Sequence, residues 1–370
     1  MESWIIAGLL LPAAAFVLCA GLTACVRRWA IGVNFVARPR EDRYHRSVIA
    51  LGGGIAIFWT LILLLMGGIL LVQFGFLPSD WLGPNAHLYI EGFLDKRNHL
   101  LIVMGCALVL HLMGLWDDKK RLGPMIKLVV QFLVAAAAAA MADIRLEFFI
   151  HNKIITTFLS IVWITLIMNA FNFLDNMDGA SAGIAAIATA VLLTAAFRSG
   201  QVFVGGLALI FLGTLLGFLA FNFPPARIFM GDAGSLVVGF FVAVLTLRTT
   251  YYNPARDFPL TSVFMPLIVM AVPLYDFISV TFLRIKQGKS PFIGDTQHFS
   301  HRLRRRGLSD AQVALTLYLA SLCTGIGAVI LQKIDPIGAV LIFVQTLMVL
   351  GIVAILEAAG GSHSNNSRNS

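Results

Sequence analysis

Long apolar runs separated by short polar segments account for most of this chain. A helix that crosses a lipid bilayer needs about 20 mostly apolar residues, so each run of that length is interpreted as a span. The pattern predicts an all-α polytopic integral membrane protein with about 11 transmembrane helices. The predicted spans are 4–26, 49–75, 99–116, 125–142, 154–173, 180–197, 202–222, 234–250, 261–283, 311–332 and 337–357.

The composition agrees with a membrane environment. Of the 370 residues, 58% are hydrophobic and 12% are charged, whereas a soluble domain carries about 25% charged residues. We expect a single transmembrane domain over residues 1–359. Residues 360–370 are polar and low in complexity, so a disordered tail is expected there. The four cysteines fall inside apolar runs without the spacing of metal ligands and are interpreted as ordinary core residues.

The distribution of Lys and Arg predicts the orientation of the helices, because these residues concentrate in the cytoplasmic loops of membrane proteins. If the N-terminus lies outside, the inner segments hold 19 of the 27 Lys and Arg residues. An odd number of spans then puts the C-terminus in the cytoplasm. Membrane topology thus explains the net charge of +8, and no nucleic-acid partner is expected.

Two adjacent carboxylates, Asp117 and Asp118, end the third predicted span on its inner side. Neighbouring anions repel each other and are stabilised by a metal, a nearby cation or a shared proton. A solvated helix end, with both carboxylates facing Lys119 and Lys120, explains the pair equally well.

Polar side chains recur every three residues at the end of the fifth predicted span, at Asn169, Asn172, Asp175 and Asp178. Residues three apart share a helix face, and such a stripe at membrane depth is unfavourable unless it faces a polar cavity or a ligand. Oxygen ligands without nearby His or Cys suit Mg²⁺ or Mn²⁺ better than Zn²⁺. Hydrogen bonding between helices is the alternative interpretation.

A third polar segment follows the seventh predicted span, where Pro224 and Pro225 break the helix. Gly231 and Gly234 permit a tight backbone around Asp232 just before the next span. Asp232 is either a functional carboxylate or a simple cap of the eighth helix, whose dipole favours an anion.

Cations lie at the same membrane face. His298, His301 and Arg302 can share one helical face in the inner segment 284–310, and such groups suit a diphosphate because Arg offers bidentate donors. Lys127 is a further cation, one turn into the fourth span. Carboxylates for a divalent ion, cations for phosphates and a membrane position predict transfer between a soluble phosphorylated donor and a lipid-borne acceptor at the cytoplasmic face.

The motifs around Asp117, Asn172 and Asp232 resemble, in this order, those of the polyprenyl-phosphate N-acetylhexosamine-1-phosphate transferases of glycosyltransferase family 4. The resemblance extends from Arg38 to Arg302 and is closest to the bacterial undecaprenyl-phosphate N-acetylglucosamine-1-phosphate transferases. It implies transfer of an N-acetylhexosamine-1-phosphate, above all N-acetylglucosamine-1-phosphate, from a UDP-sugar to undecaprenyl (polyprenyl) phosphate with release of UMP. It also implies a Mg²⁺ cofactor, which Mn²⁺ could replace, and a place in the bacterial cytoplasmic membrane.

The resemblance assigns roles to individual residues. The catalytic group it implies consists of Asp117, Asp118 and Asp175, and one of the adjacent pair is expected to deprotonate or orient the lipid phosphate. The magnesium contacts it implies are Asn172 and Asp232. The residues expected to hold the uridine are Asp178, Asn222 and Phe229, with Phe229 stacking on the base. The residues expected on the diphosphate and sugar side are Lys127, His298, His301 and Arg302.

Other assignments stay open. The UDP-muramoyl-pentapeptide phosphotransferases of peptidoglycan synthesis belong to the same family, but their run of three adjacent histidines is absent here, where only His298 and His301 remain. A membrane prenyltransferase would need two aspartate-rich repeats of similar spacing. A cation-coupled transporter would carry carboxylates near the midplane, where Asp276 is the candidate. By analogy with similar membrane proteins, a homodimer is expected.

Overall fold

The computed structural model describes residues 2–37, 48–76, 86–146, 150, 152–252, 258–289, 299–304 and 306–358. The helices before residue 200 are α1 (Glu2–Gly32), α2 (Gly53–Gln73), α3 (Ala86–Lys119), α4 (Pro124–Met141), α5 (Lys153–Leu174) and α6 (Ala180–Arg198). Those after it are α7 (Val202–Asn222), α8 (Asp232–Arg248), a 3-10 helix (Leu260–Phe264), α9 (Met265–Val269), α10 (Ala271–Lys286), α11 (Phe299–Arg304), α12 (Asp310–Ile330) and α13 (Pro336–Ala358).

Nine helices within the described residues are long and apolar enough to cross a membrane: α1 to α7, α12 and α13. The 3-10 helix with α9 forms a bent pair with α10, at an angle of 57°, and makes a tenth crossing if the pair is one span. The prediction of a polytopic all-α membrane protein is confirmed. The count of eleven and the orientation stay predictions.

The eighth predicted span corresponds to α8, which is 17 residues long. At 1.5 Å per residue it reaches about 26 Å, slightly less than the hydrocarbon thickness of a bilayer. Residues 233–246 of this helix are all buried, because it packs against α2, α3, α5, α6 and α7. A helix that is apolar all round belongs in the interior, and α8 forms the centre of the bundle.

The outermost helices differ from this centre. In the most apolar 18-residue stretch of α1 and of α13, 17% of the residues are buried, whereas 72% are buried in that of α6. Their exposed side chains are mostly Leu, Ile, Val and Phe. A contiguous apolar surface of this kind fits contact with lipid chains rather than water.

A small sheet precedes α2 and α8 and was not predicted. Strand β2 (Ile49–Leu51) pairs antiparallel with β1 (Val36–Ala37) and parallel with β3 (Ile228–Phe229). Strands of two or three residues are too short to show an alternating pattern in the sequence. After the sheet the chain turns into α2 through Gly52, which has a φ of 104°.

Glycines bring the neighbouring helices onto the first turn of α8. A Cβ atom added at Gly114 of α3 would lie 2.4 Å from the backbone of Ala233, and one at Gly54 of α2 would lie 2.3 Å from the backbone nitrogen of Gly234. Small residues permit such backbone approach between membrane helices. The first turn of α8, which carries Asp232, is therefore fixed between α2 and α3.

Candidate active site

Lys127 joins carboxylates from two distant segments. Asp117, in the last turn of α3, accepts hydrogen bonds at Oδ1 from the Leu122 backbone N–H (2.7 Å) and at Oδ2 from Lys127 Nζ (3.0 Å). Lys127 lies in the first turn of α4 and also donates to Asp232 Oδ2 at the start of α8. Three helix ends thus meet at one ammonium group.

Asp118 faces a different partner from Asp117. Its Oδ1 accepts from the backbone N–H of Asp232 (2.9 Å) and its Oδ2 from that of Ala233 (3.2 Å). The N-cap residue of α8 is Gly231, which has no side chain, so a carboxylate from α3 caps the helix instead and interacts favourably with its dipole. The adjacent aspartates therefore have separate stabilising partners, a cation and a helix N-terminus.

Gly231 makes this cap possible. Its φ is 72° and its ψ is 175°, a backbone conformation that is essentially restricted to glycine. A Cβ atom at this position would also lie 2.5 Å from Asp118 Oδ2. Any larger residue would push the carboxylate away from the first turn of α8.

We call Asp117, Asp118, Lys127 and Asp232 the carboxylate cluster. Three carboxylates and one ammonium carry a formal charge of −2 when all are ionised. The side chains of Asp117, Lys127 and Asp232 are 15%, 21% and 25% exposed, so a ligand can reach them. Excess negative charge with partial exposure favours the approach of a cation.

A magnesium ion beside this cluster would have to share its coordination with phosphate. Within the described residues, no group of three or more His, Cys, Asp or Glu side chains is arranged to hold a metal ion by itself. Magnesium in phosphoryl-transfer sites uses one or two carboxylates together with phosphate oxygens and water. Asn172 donates through Nδ2 to Ser235 Oγ (2.9 Å), so its carbonyl oxygen is the amide atom suited to a cation. The magnesium site at Asn172 and Asp232 stays a prediction.

The predicted stripe at the end of α5 divides into two parts. Asn169 donates to Gln131 Oε1 of α4 (2.7 Å) and to the Thr165 carbonyl (2.8 Å), so hydrogen bonding between helices explains this residue. The helix ends at Leu174, and Asp175 and Asp178 follow it rather than extending its face. The expectation of one continuous helical face is therefore wrong beyond Leu174, because the chain turns there.

Asp178 and Asn222 organise the loop that leads to strand β3. Asp178 Oδ2 accepts from the Ala226 backbone N–H (2.9 Å). The buried Asn222 accepts from the Gly179 N–H (3.0 Å) and donates to the Ile228 carbonyl (2.9 Å). These bonds connect the turn after α5 with residues 223–229 and so set the position of the partly buried Phe229.

Comparison with known proteins bears directly on this arrangement. Residues 100–250 match the model described as glycosyl transferase family 4. We refer to the matching segment, residues 100–250, as the family 4 domain. This domain runs from within α3 to just beyond α8 and contains the whole carboxylate cluster. The resemblance inferred from the motifs is confirmed.

Curated relatives extend the likeness beyond the family 4 domain. A probable undecaprenyl-phosphate N-acetylglucosaminyl 1-phosphate transferase of Bacillus subtilis is 29% identical over 84% of this chain and 81% of its own length. An undecaprenyl-phosphate alpha-N-acetylglucosaminyl 1-phosphate transferase of Yersinia pestis is 27% identical over 88% of this chain and 83% of its own length. A decaprenyl-phosphate N-acetylglucosaminephosphotransferase of Mycobacterium tuberculosis is 28% identical over 90% of this chain and 85% of its own length.

The predicted diphosphate and sugar side lies partly outside both the family 4 domain and the described structure. His298 and the side chain of His301 are outside the described residues. Arg302 is described: its Nη2 donates to Ser279 Oγ of α10 (3.0 Å) and pairs with Glu357 Oε2 of α13 (3.1 Å). The approach of these two histidines to the carboxylate cluster stays a prediction.

Helix α10 connects this side to the family 4 domain. The ring of Phe277 lies 5.0 Å from that of Phe173 near the end of α5, and the guanidinium of Arg284 lies 5.1 Å from the Phe173 ring. Aromatic and cation–π contacts of this kind stabilise a helix pair. The end of α5 that carries Asn172 is thereby packed against α10.

His111 contacts the first turn of α8 and was not predicted. Its Nδ1 lies 3.1 Å from the Ala233 carbonyl oxygen, and its ring stacks on Phe58 of α2 at 4.3 Å. His111, Gly114 and Asp118 are spaced three and four apart, so they share the face of α3 that meets α8. This run of polar and small residues inside an apolar span is the signal that could have identified His111.

An apolar cavity of about 410 Å³ lies between the bent helix pair and α13. Its lining includes Leu274, Ile278, Phe282 and Phe343. Ser279, the partner of Arg302, also lines it. A cationic side chain therefore lies beside a space that suits an apolar chain.

Proposed function

We propose that this chain transfers N-acetylglucosamine-1-phosphate from UDP-N-acetylglucosamine to undecaprenyl phosphate, giving a diphosphate-linked lipid sugar and UMP. The observation that carries the proposal is the convergence of Asp117, Lys127 and Asp232 from three helix ends inside the family 4 domain. The names of the relatives support the acceptor and the aminosugar. The reaction would be the first membrane step of a cell-envelope polysaccharide pathway.

In the proposed reaction, an oxygen of the lipid phosphate attacks the β-phosphorus of the donor. The bond from that phosphorus to the oxygen bridging the two phosphates breaks, and UMP leaves with the bridging oxygen. We assign any proton on the attacking phosphate to Asp117, because Asp117 lies beside Lys127, the cation that would bind the phosphates, whereas Asp118 faces the N-terminus of α8. Direct attack requires positioning and charge neutralisation and no protein nucleophile.

Positive charge in the site comes from Lys127, which is held between Asp117 and Asp232. A fixed cation stabilises charge that develops on the phosphates without reorganising during the reaction. Magnesium, when bound, would supply further neutralisation of the diphosphate. Asp232 and the carbonyl oxygen of Asn172 would hold it, and manganese accepts the same oxygen ligands.

The two substrates would approach from different surroundings. The uridine is proposed to stack on Phe229, whose strand is tied to the turn after α5 by Asp178 and Asn222. The isoprenoid chain is proposed to occupy the apolar cavity beside Arg302. The bacterial cytoplasmic membrane, a cytoplasmic active site and a homodimer remain part of the proposal.

The proposal is tested with purified protein in detergent. UDP-N-acetylglucosamine labelled in the sugar is incubated with undecaprenyl phosphate, with Mg²⁺, with Mn²⁺ or with EDTA. We expect labelled lipid and an equal amount of UMP with either metal, and neither product with EDTA. UDP-N-acetylgalactosamine and UDP-muramoyl-pentapeptide are compared as donors. Folded protein that forms no lipid product with any UDP-sugar would overturn the proposal.

A further inference from the structure

A buried carboxylate near the end of the last described helix has no counterpart among the motifs. Glu357 of α13 is 9% exposed. It lies more than 100 residues beyond the family 4 domain, which ends at residue 250. A charged group at the end of an apolar helix is unfavourable unless it is paired, and such groups commonly serve a site.

Glu357 is the meeting point of several elements. Its Oε2 pairs with Arg302 of α11 (3.1 Å) and accepts a hydrogen bond from the Tyr275 hydroxyl of α10 (3.3 Å). Its backbone carbonyl accepts from Nη2 of Arg306 in the turn after α11. We call Glu357, Arg302, Tyr275, Arg306 and Ser279 the Glu357 anchor.

These contacts hold the Arg302 side chain and also the backbone that carries it. The guanidinium lies between Ser279 Oγ of α10 and Glu357 Oε2 of α13, while Arg306 attaches the following turn to the same glutamate. Free arginine side chains sample many rotamers, so two fixed partners restrict the direction of the remaining donors. Helix α10 in turn packs on the end of α5 through Phe277 and Phe173.

We propose that Glu357 is a positioning residue that orients Arg302, and with it helix α11, for the donor diphosphate. This inference rests on the proposed function and extends the site to α13. Glu357 acts through Arg302 and does not touch the reacting atoms. Its loss therefore weakens donor binding more than it slows the chemical step.

The first test compares Glu357→Gln with Glu357→Asp and with the control Asp335→Asn at the other end of α13. Asp335 is exposed and caps the helix through Gly338 N–H, a role that Asn also fills. We expect Glu357→Gln to raise KM for the UDP-sugar about tenfold with little change in kcat. Glu357→Asp should restore KM to within about threefold of the wild type, since the charge is retained.

A double-mutant cycle identifies the route of the effect. Because Glu357 is proposed to act through Arg302, adding Glu357→Gln to Arg302→Gln should change KM less than about twofold further. Fully additive effects would overturn the proposal. An equal loss of kcat and thermal stability in the Gln and Asp variants, with KM unchanged, would also overturn it and indicate general packing.

A readout without turnover separates this inference from the proposed function. Amide hydrogen exchange over residues 299–306 should be faster in Glu357→Gln than in the wild type and in Asp335→Asn. Unchanged exchange and unchanged KM in an active enzyme would remove the inference and leave the proposed function standing. Absence of lipid product from the wild-type protein would instead overturn the proposed function. It would also overturn the role of Arg302 toward the donor, whatever the exchange result.

Discussion

The carboxylate cluster and the Glu357 anchor are held in different ways. In the cluster, Asp118 accepts from two backbone N–H groups of α8, and Gly114 lets the α3 backbone touch the same turn. In the anchor, the long Arg302 side chain reaches Ser279 Oγ and the carboxylate of Glu357. Backbone contacts leave little freedom, whereas side chains can change rotamer. The cluster is proposed to contact the reacting phosphates, whereas Glu357 acts only through Arg302, so we expect substitutions in the cluster to lower kcat and substitution of Glu357 to raise KM.

The largest effect is expected from Asp232→Asn. This change removes a charge that faces Lys127 and would contact magnesium, so kcat should fall by about 10²–10³-fold. Initial rates of lipid product are measured against Asp335→Asn, and thermal unfolding shows that the variant is folded. A rate within about tenfold of the wild type would contradict a central role for Asp232.

Gly231→Ala tests whether Asp118 must cap α8. A Cβ atom there meets Asp118 Oδ2 at 2.5 Å, and the backbone conformation is unfavourable for alanine by about 1–3 kcal/mol. Both the unfolding temperature and kcat should fall. The matched control is Gly206→Ala in α7, where an added Cβ has no atom within 4 Å. Equal behaviour of the two variants would contradict the close contact.

Substitutions of the two adjacent aspartates should differ in their effect on stability. Asp118→Asn places an amide N–H₂ against one of two backbone donors, so it should lower the free energy of unfolding by about 1–2 kcal/mol. Asp117→Asn should lower the unfolding temperature less, because its remaining oxygen can keep the Leu122 N–H bond and Lys127 keeps Asp232 as a partner, and it should lower kcat. Identical stability losses would show that the two carboxylates form one unit.

The smallest effect is expected from His111→Gln. The amide can still donate to the Ala233 carbonyl, but the stacking on Phe58 is lost. The first turn of α8 should loosen slightly and kcat should fall about threefold, with KM for the donor unchanged. Steady-state kinetics at saturating lipid phosphate measure this split. A rise in KM alone would contradict a role of His111 in holding the first turn of α8.

The general location of the site could be predicted from the sequence. Charged groups such as Asp117, Lys127 and Asp232 are unfavourable at membrane depth, so their presence beside apolar spans is informative. The structure brings these three together. The all-α membrane architecture followed from the length of the apolar runs for the same reason, since water cannot satisfy the backbone inside a bilayer.

The partners of individual groups could not be predicted. The cap that Asp118 provides depends on backbone N–H groups of another helix, which have no sequence signature apart from Gly231. The pairing of Asn169 with Gln131 depends on how α4 and α5 are packed. Glu357 lies at the end of an apolar run and resembles an ordinary helix terminus until its pairing with Arg302 is seen.

The most direct test follows the β-phosphorus of the donor. UDP-N-acetylglucosamine labelled with ³²P at the β-position is incubated with undecaprenyl phosphate and the purified wild type, Asp232→Asn or Asp335→Asn. We predict that the label enters the lipid and unlabelled UMP is released by the wild type and Asp335→Asn, and that Asp232→Asn gives almost no labelled lipid. Label that stays in UDP while the sugar enters the lipid would contradict sugar-1-phosphate transfer.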